Sequence, residues 1–245
     1  MTGVETFLGI PFAQPPIGNL RWQPPVYITE DIYGKVTNDG SAQNNDTEII
    51  YDATEYGNTC IQFGRTGSET SESEDCLFLN IFRSTGQGQS QDGYYDYEYD
   101  YSSYYEYDYS DDYNSTSNPI IETDTEGNGD NYVHDSNSLV PVLFVIHGGS
   151  FVTGSSDSID FLMRTYIRYT GKNVIVVTIN YRLGLLGFLG GDDVREYVGG
   201  NGDIEGGAGN FGLLDQRMAM RWVHDNIHAF GGDPNNVCKL YHGSF

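Results

Sequence analysis

The residues with the most distinct chemical potential are His147-Gly148-Gly149-Ser150-Phe151, which follow directly on the apolar run Val140-Pro141-Val142-Leu143-Phe144-Val145-Ile146. A nearly continuous apolar run of this length suits a strand covered on both faces. Acyl transfer from an ester passes through a tetrahedral intermediate with a negative oxygen, and that oxygen needs two or three N–H donors already in place. Glycines let backbone amides turn toward it with no Cβ in the way. Taken alone, the same residues are also compatible with an ordinary glycine turn that ends a strand.

The surrounding elements must hold that turn. Residues 174–179 form a second apolar run, and 158–169 between the two predicts a helix. A stronger helix is predicted over 213–230, with Leu214, Met218, Trp222 and Ile227 close to one stripe and Gly231-Gly232 as the stop. A third strand follows over 237–241. Strand, helix, strand, helix, strand predicts a parallel sheet with covering helices. Residues 1–83 read as a compact segment. Phe7-Leu8-Gly9-Ile10-Pro11 is a short strand entering a turn in which Pro15, Pro16, Pro24 and Pro25 block helix. Residues 77–82 are a further strand candidate.

Residues 84–138 are of another kind. Between Tyr94 and Tyr113 nearly every residue is Tyr, Asp, Glu or Ser, and no Lys or Arg occurs between Arg83 and Arg164. Such a tract has few aliphatic side chains to bury and repels itself, which predicts a disordered, solvated insertion. It is a solvated loop without function, a substrate for tyrosine sulfation, or a Tyr-rich segment that binds an extracellular protein. The formal net charge of the 245 residues is −23, which argues against nucleic acid and anionic membrane as partners. No segment approaches the ~20 apolar residues of a membrane span. The first ten residues lack the basic start and apolar stretch of a signal peptide. Asn45-Asp46-Thr47 and Asn114-Ser115-Thr116 are N-glycosylation sequons. Of the three cysteines, Cys60 and Cys76 flank a short polar loop and are either a disulfide or two unrelated thiols. Cys238 is expected to be a small buried residue in a strand.

Several separate stretches together resemble the type B carboxylesterase/cholinesterase family. Phe7-Leu8-Gly9-Ile10-Pro11-Phe12-Ala13-Gln14-Pro15-Pro16-Ile17-Gly18 and Leu20-Arg21-Trp22 are similar to its N-terminal signature. Ser73-Glu74-Asp75-Cys76-Leu77-Phe78-Leu79-Asn80 resembles its second signature, and residues 146–151 its oxyanion loop, the lipase/esterase form of a His-Gly-Gly-x turn. Asn180-Tyr181-Arg182-Leu183-Gly184 and Gly187-Phe188-Leu189 resemble the next strand and turn. Gly209-Asn210-Phe211-Gly212-Leu213-Leu214-Asp215-Gln216 and Phe230-Gly231-Gly232-Asp233-Pro234 resemble the helix before the catalytic strand. The stretches run in family order over residues 4–237, outside the acidic tract.

The resemblance implies an α/β class, an incomplete α/β-hydrolase fold: the N-terminal half of a mostly parallel sheet with covering helices. Residues 1–245 are then a partial carboxylesterase type B domain, with 84–138 as an acidic Tyr-rich insertion. It also implies a Cys60–Cys76 disulfide, an oxyanion loop at Gly148, Gly149 and Ser150 with the Gly149 and Ser150 amides as donors, and structural rather than catalytic ion pairs Arg21–Glu74 and Arg182–Asp215. Ser150 replaces the usual third glycine. Its N–H survives, while its Cβ strains the turn or narrows the pocket. His147 occupies a position that accepts Tyr in relatives and is no general base. His224 and His228 lie on the polar side of a helix. No cofactor and no metal are implied.

Two departures qualify this picture. In the family the strand after Gly-Gly-Asp-Pro runs into Gly-x-Ser-x-Gly. Here Val237-Cys238-Lys239-Leu240-Tyr241-His242 continues to Gly243-Ser244-Phe245, Gly243 falls at the serine position, and Ser244 stands in no such frame. Residues 61–75 contain no Trp, whereas cholinesterases carry a choline-binding Trp in that loop. The leading expectation is therefore a chain derived from a secreted carboxylic-ester hydrolase that acts on small-molecule esters. By itself the chain is expected to be inactive, with the nucleophile outside it. The alternatives are a non-catalytic cholinesterase-like adhesion or matrix protein, of which glutactin-like and neuroligin-like relatives are examples, and a truncated gene product. Residues 237–241 are central in a complete sheet of this kind. They are expected to leave an open apolar edge and a poorly soluble or molten chain. For the acidic tract, sulfation predicts a mass gain of about 80 Da per modified tyrosine on the secreted protein, and an unmodified intact mass excludes it.

Overall fold

The computed structural model describes residues 3–28, 51–63, 71–85, 139–170, 173–198 and 209–242. The chain divides into two units, Met1–Gln89 with Ser138–Phe245, and Ser90–Asn137. The second unit, and with it the disorder expected of the acidic tract, lies outside the described residues. So do Asn45, Asn114, Gly243 and Ser244.

The apolar runs become one sheet. Its strands are β1 (Val4–Pro11), β4 (Phe78–Ser84), β6 (Ile175–Ile179), β5 (Val140–His147) and β7 (Gly232–His242), side by side in that order. β5 pairs in parallel with both β6 and β7, while β4 is antiparallel to its neighbours β1 and β6. Every strand except β4 therefore points the same way, and the sheet is that of an α/β-hydrolase. Strands β2 (Thr59–Cys60) and β3 (Glu72–Ser73) form a separate small pair beside the Cys60–Cys76 disulfide, whose S–S distance is 2.04 Å.

Alternation along the strands sorts side chains to two apolar layers. Leu79, Ile81, Phe144, Ile146, Ile175, Val177 and Ile179 pack with Ala219, Trp222 and Val223 of α4 (Phe211–Asn226). Phe82, Val145 and Val176 point the other way and pack with Met163 and Ile167 of α1 (Asp160–Thr170). β5 and β6 are thus covered on both faces, which is why their sequences read as unbroken apolar runs. Two further helices, α2 (Gly184–Phe188) and α3 (Asp192–Tyr197), occupy the segment between β6 and α4. No helix among the described residues is long and apolar enough to cross a membrane.

Three readings are corrected. The buried stripe of α4 is Phe211, Gly212, Asp215, Gln216, Ala219, Trp222 and Val223, and Leu214 and Met218 lie at its margin. Apolar periodicity misplaced the stripe because its centre is the carboxylate of Asp215. Cys238 is in a strand, yet it is exposed. Among the described residues β7 has β5 as its one neighbour in the sheet, and Cys238, Leu240 and Tyr241 are exposed along it. Ser84 and Thr85 belong with the sheet rather than the insertion: Ser84 pairs with Val4, and the Thr85 N–H donates to the Gly3 carbonyl at 3.0 Å.

Asp215 is fully buried and accepts from Arg182 Nε, Nη2 and backbone N–H at 2.8, 2.8 and 3.0 Å. The Arg21–Glu74 pair, at 2.5 Å, is partly exposed. Removing one partner of a buried pair strands the other charge, at about 3–5 kcal/mol. Asp215→Ala is therefore expected to speed amide exchange in α4 by about 10²-fold or more. Glu74→Ala should have a far smaller effect, and equal effects would contradict this ranking.

Candidate oxyanion site

The chain leaves β5 at His147, which is buried by stacking on Tyr181 with ring centroids 4.5 Å apart. The Tyr181 hydroxyl donates to the His147 carbonyl at 3.1 Å. Burial pushes the phenol pKa up to about 12, so the hydroxyl keeps its proton and remains a donor at neutral pH. His147 Nδ1 lies 2.9 Å from the Gly148 carbonyl. These contacts fix the ring against Tyr181 at the end of β5.

The turn then reverses through left-handed backbone. Gly149 has φ +112°, Ser150 +53°, Phe151 +63° and Gly154 +116°. The Val152 and Thr153 N–H groups both donate to the Gly149 carbonyl at 3.0 Å. A Cβ on Gly149 would lie 2.0 Å from the Thr153 carbonyl oxygen, and one on Gly154 would lie 2.3 Å from His147 Nδ1 and 2.4 Å from the Gly148 carbonyl oxygen. Neither position accepts another residue, because backbone meets backbone there. Ser150 is exposed and takes a left-handed conformation that suits glycine, at a strain of roughly 1–2 kcal/mol. Among the described residues no acceptor is bonded to the Gly149 or Ser150 N–H. Two adjacent amides are thus free to donate at the carboxyl end of a parallel strand, the edge at which open α/β sheets bind ligands.

The far side of the loop is tied to other elements. The Gly154 N–H donates to Gln62 Oε1 at 2.7 Å, and Gln62 Nε2 donates to the Gly154 carbonyl at 3.3 Å and to the Cys60 carbonyl at 3.2 Å. The Ser156 N–H donates to Asn180 Oδ1 at 2.9 Å. Asn80 Nδ2 donates to Ser156 Oγ and Thr178 Oγ1 at 3.0 and 3.1 Å, and Asn80 Oδ1 accepts from the Gly9 N–H at 2.9 Å. Asn80, Ser156, Thr178 and Asn180 are all buried.

Sequence reasoning missed Gln62 and this amide–hydroxyl network. A signal existed for two of its members. Asn80 and Thr178 are polar residues inside apolar strands, and a buried polar group requires partners. Gln62 carries no such signal, since its partner is 92 residues away.

The site residues expected from the sequence fall into separate groups. Gly148, Gly149 and Ser150 form the loop. Cys60 and Cys76 are bonded to each other. Arg21 pairs with Glu74 and Arg182 with Asp215. His224 and His228 are exposed. A small hollow opens beside Arg21, Glu74, Cys60 and Arg182, and residues 148–154 do not line it.

The sequence model of the carboxylesterase family matches residues 1–240. The chain is 30 % identical over 239 residues to a carboxylic ester hydrolase of Bombus ignitus, with 95 % of this chain and 29 % of that protein covered. It is 32 % identical over 234 residues to fumonisin B1 esterase of Sphingopyxis macrogoltabida, covering 96 % of this chain and 31 % of that one. It is 31 % identical over 242 residues to neuroligin-3 of Mus musculus, covering 96 % and 24 %. Among solved structures, Aspergillus niger EstA is similar with a TM-score of 0.60 and 29 % identity, over 98 % of this chain and 32 % of that one. The chain thus spans about a third or less of the length of these relatives.

The strain at position 150 is testable. Ser150→Gly relieves the left-handed conformation and loses part of that gain to unfolded-state entropy, so stability should rise by about 0.5–1 kcal/mol. A loss of stability would mean that the Ser150 side chain is itself a structural contact.

Proposed function

The chain belongs to the carboxylesterase family, and from that premise we propose that it supplies the oxyanion-binding part of a hydrolase acting on small-molecule carboxylic esters. The observation that carries this reading is the pair of adjacent, unbonded amides at Gly149 and Ser150, held in left-handed backbone at the end of β5. Such donors act where charge develops: as a nucleophile adds to the ester carbonyl, its oxygen gains negative charge between the two N–H groups. Breakdown of that intermediate releases the alcohol and leaves an acyl-enzyme, which water then hydrolyses.

The nucleophile in this reading is a serine outside the 245 residues of this sequence, not Ser244. No serine of the sequence stands in a Gly-x-Ser-x-Gly frame. β7 pairs with β5 so that Val237–His242 lie opposite Val142–His147, with Tyr241 against Ile146 and His242 against His147. Both strands run to the same end of the sheet, so His242 stands beside the oxyanion loop, the side on which a serine elbow of this fold is needed. The domain reading is one partial carboxylesterase domain, 1–245, carrying an acidic insertion that begins after Thr85 and runs to 138. It is supported by β4 and β5, which bracket the insertion and lie in the same sheet. The Cys60–Cys76 disulfide supports an oxidising, extracellular setting.

A second reading, a non-catalytic extracellular protein with a partner at the acidic Tyr-rich tract, is favoured by two observations. Ser150 stands at a strained glycine position, and neuroligin-3 matches at an identity similar to that of the esterases. Ester turnover and fluorophosphonate labelling separate the readings. The 245-residue chain should hydrolyse no p-nitrophenyl ester and leave Ser244 unlabelled. A form extending past it should turn over ester and label on a serine in the Gly-x-Ser-x-Gly frame. Labelling of Ser244 overturns the placement of the nucleophile, and an extended form without that serine or turnover leaves the non-catalytic reading.

A further inference from the structure

We propose that Gln62, in the Cys60–Cys76 loop, is the positioning residue of the oxyanion loop: its side-chain amide clamps the Gly154 peptide and thereby sets the direction of the Gly149 and Ser150 N–H groups. The catalytic meaning of this inference rests on the ester-hydrolase reading above. The geometry does not.

All the hydrogen-bonding capacity that matters is used. The two protons of Gln62 Nε2 go to the Cys60 and Gly154 carbonyls, and Oε1 accepts the Gly154 N–H. The bond back to Cys60 holds the side chain against its own backbone, and Cys60 is fixed by its disulfide to Cys76, two residues before β4. The clamp is therefore anchored to the sheet by a covalent link. A glutamine suits the task because it presents one donor and one acceptor to the same peptide group.

Position is passed on by contact. Gly154 lies so close to His147 and Gly148 that no Cβ fits between them, and Gly149 lies equally close to Thr153. The outgoing segment 153–154 is thus packed on the His147 ring and on the backbone of Gly148 and Gly149. Thr153 also donates to the Gly149 carbonyl, whose peptide partner is the Ser150 N–H. A shift of Gly154 therefore tilts the peptide that carries a donor. The left-handed angles at Ser150 and Phe151 are intrinsically unfavourable, and such strain persists only where surrounding contacts over-determine it. Gln62 supplies such contacts from outside the loop.

The test is residue-resolved amide exchange on the 245-residue chain with two variants. Gln62→Leu removes the donor and acceptor and should speed exchange at Gly154 by about tenfold, with faster exchange at Val152 and Thr153. Gln62→Glu keeps an acceptor for the Gly154 N–H, so Gly154 should stay within about threefold of the parent. Unchanged exchange at Gly154 in Gln62→Leu overturns the clamp. Faster exchange confined to Gly154 overturns its transmission to the loop. If exchange spreads across α1 and α4 as well, Gln62 is a general structural residue and the proposal also fails. In an ester-hydrolysing form, Gln62→Leu should lower kcat with KM held, and a rise in KM alone contradicts positioning. Absence of turnover in every form defeats the hydrolase reading and leaves the exchange result standing.

Discussion

A carboxylate with no solvent exposure, Asp215 on α4, is held by the guanidinium and the backbone N–H of Arg182 just after β6. A buried charge without its partner is penalised by several kcal/mol. α4 therefore has one seat on the sheet, and the Arg182 guanidinium also lies over the Phe211 ring at 5.4 Å. That seat decides the rest. α4 covers Phe144, Ile146 and Val177, and the chain that leaves it through Gly231 enters β7 beside β5. Apolar packing alone is tolerant of small slips. The ion pair adds direction, because only one placement of the helix gives Asp215 its donors.

With α4 and β7 fixed, the end of β5 becomes a place where backbone N–H groups can be shown to a ligand. The turn is stabilised by backbone contacts too close for a Cβ, by paired hydrogen bonds to the Gly149 carbonyl, and by polar side chains from β4, β6 and the Cys60–Cys76 loop. Preorganised donors are effective because they need no reorganisation when charge appears. A loop so heavily cross-braced meets that condition better than its glycine content suggests.

Ser150 shows how family membership and activity separate. The donor at this position is a backbone N–H, and serine retains it in the left-handed conformation. The substitution therefore alters the strain and the surface of the loop without deleting a donor. Relatives named as esterases and neuroligin-3 match the chain at similar identity. Sheet, ion pair and loop hold the fold of this chain, and in the ester-hydrolase reading the chemistry depends on a nucleophile that is a separate element.

The parallel core strands were legible in the residues, and the hydrolase fold, the disulfide and the two ion pairs followed from the family resemblance. Continuous apolar runs, glycine punctuation and ordered signature stretches are local properties that survive being read one residue at a time. The sequence also contained the oxyanion loop as a motif. The buried stripe of α4 was misplaced because periodicity counts apolar residues, whereas Asp215 owes its burial to Arg182 on another element. The sequence reading expected an open edge at residues 237–241 and still placed Cys238 in the interior; its exposure follows from β7 having β5 alone beside it among the described residues. The clamp from Gln62 to Gly154 joins residues 92 apart through one side-chain amide, and such a pairing exists only once the chain is folded. The sequence by itself determined which family of sheet this chain builds and which residues turn at the end of β5. The tertiary structure decided which way the amides of that turn face, because their direction is set by contacts from other elements.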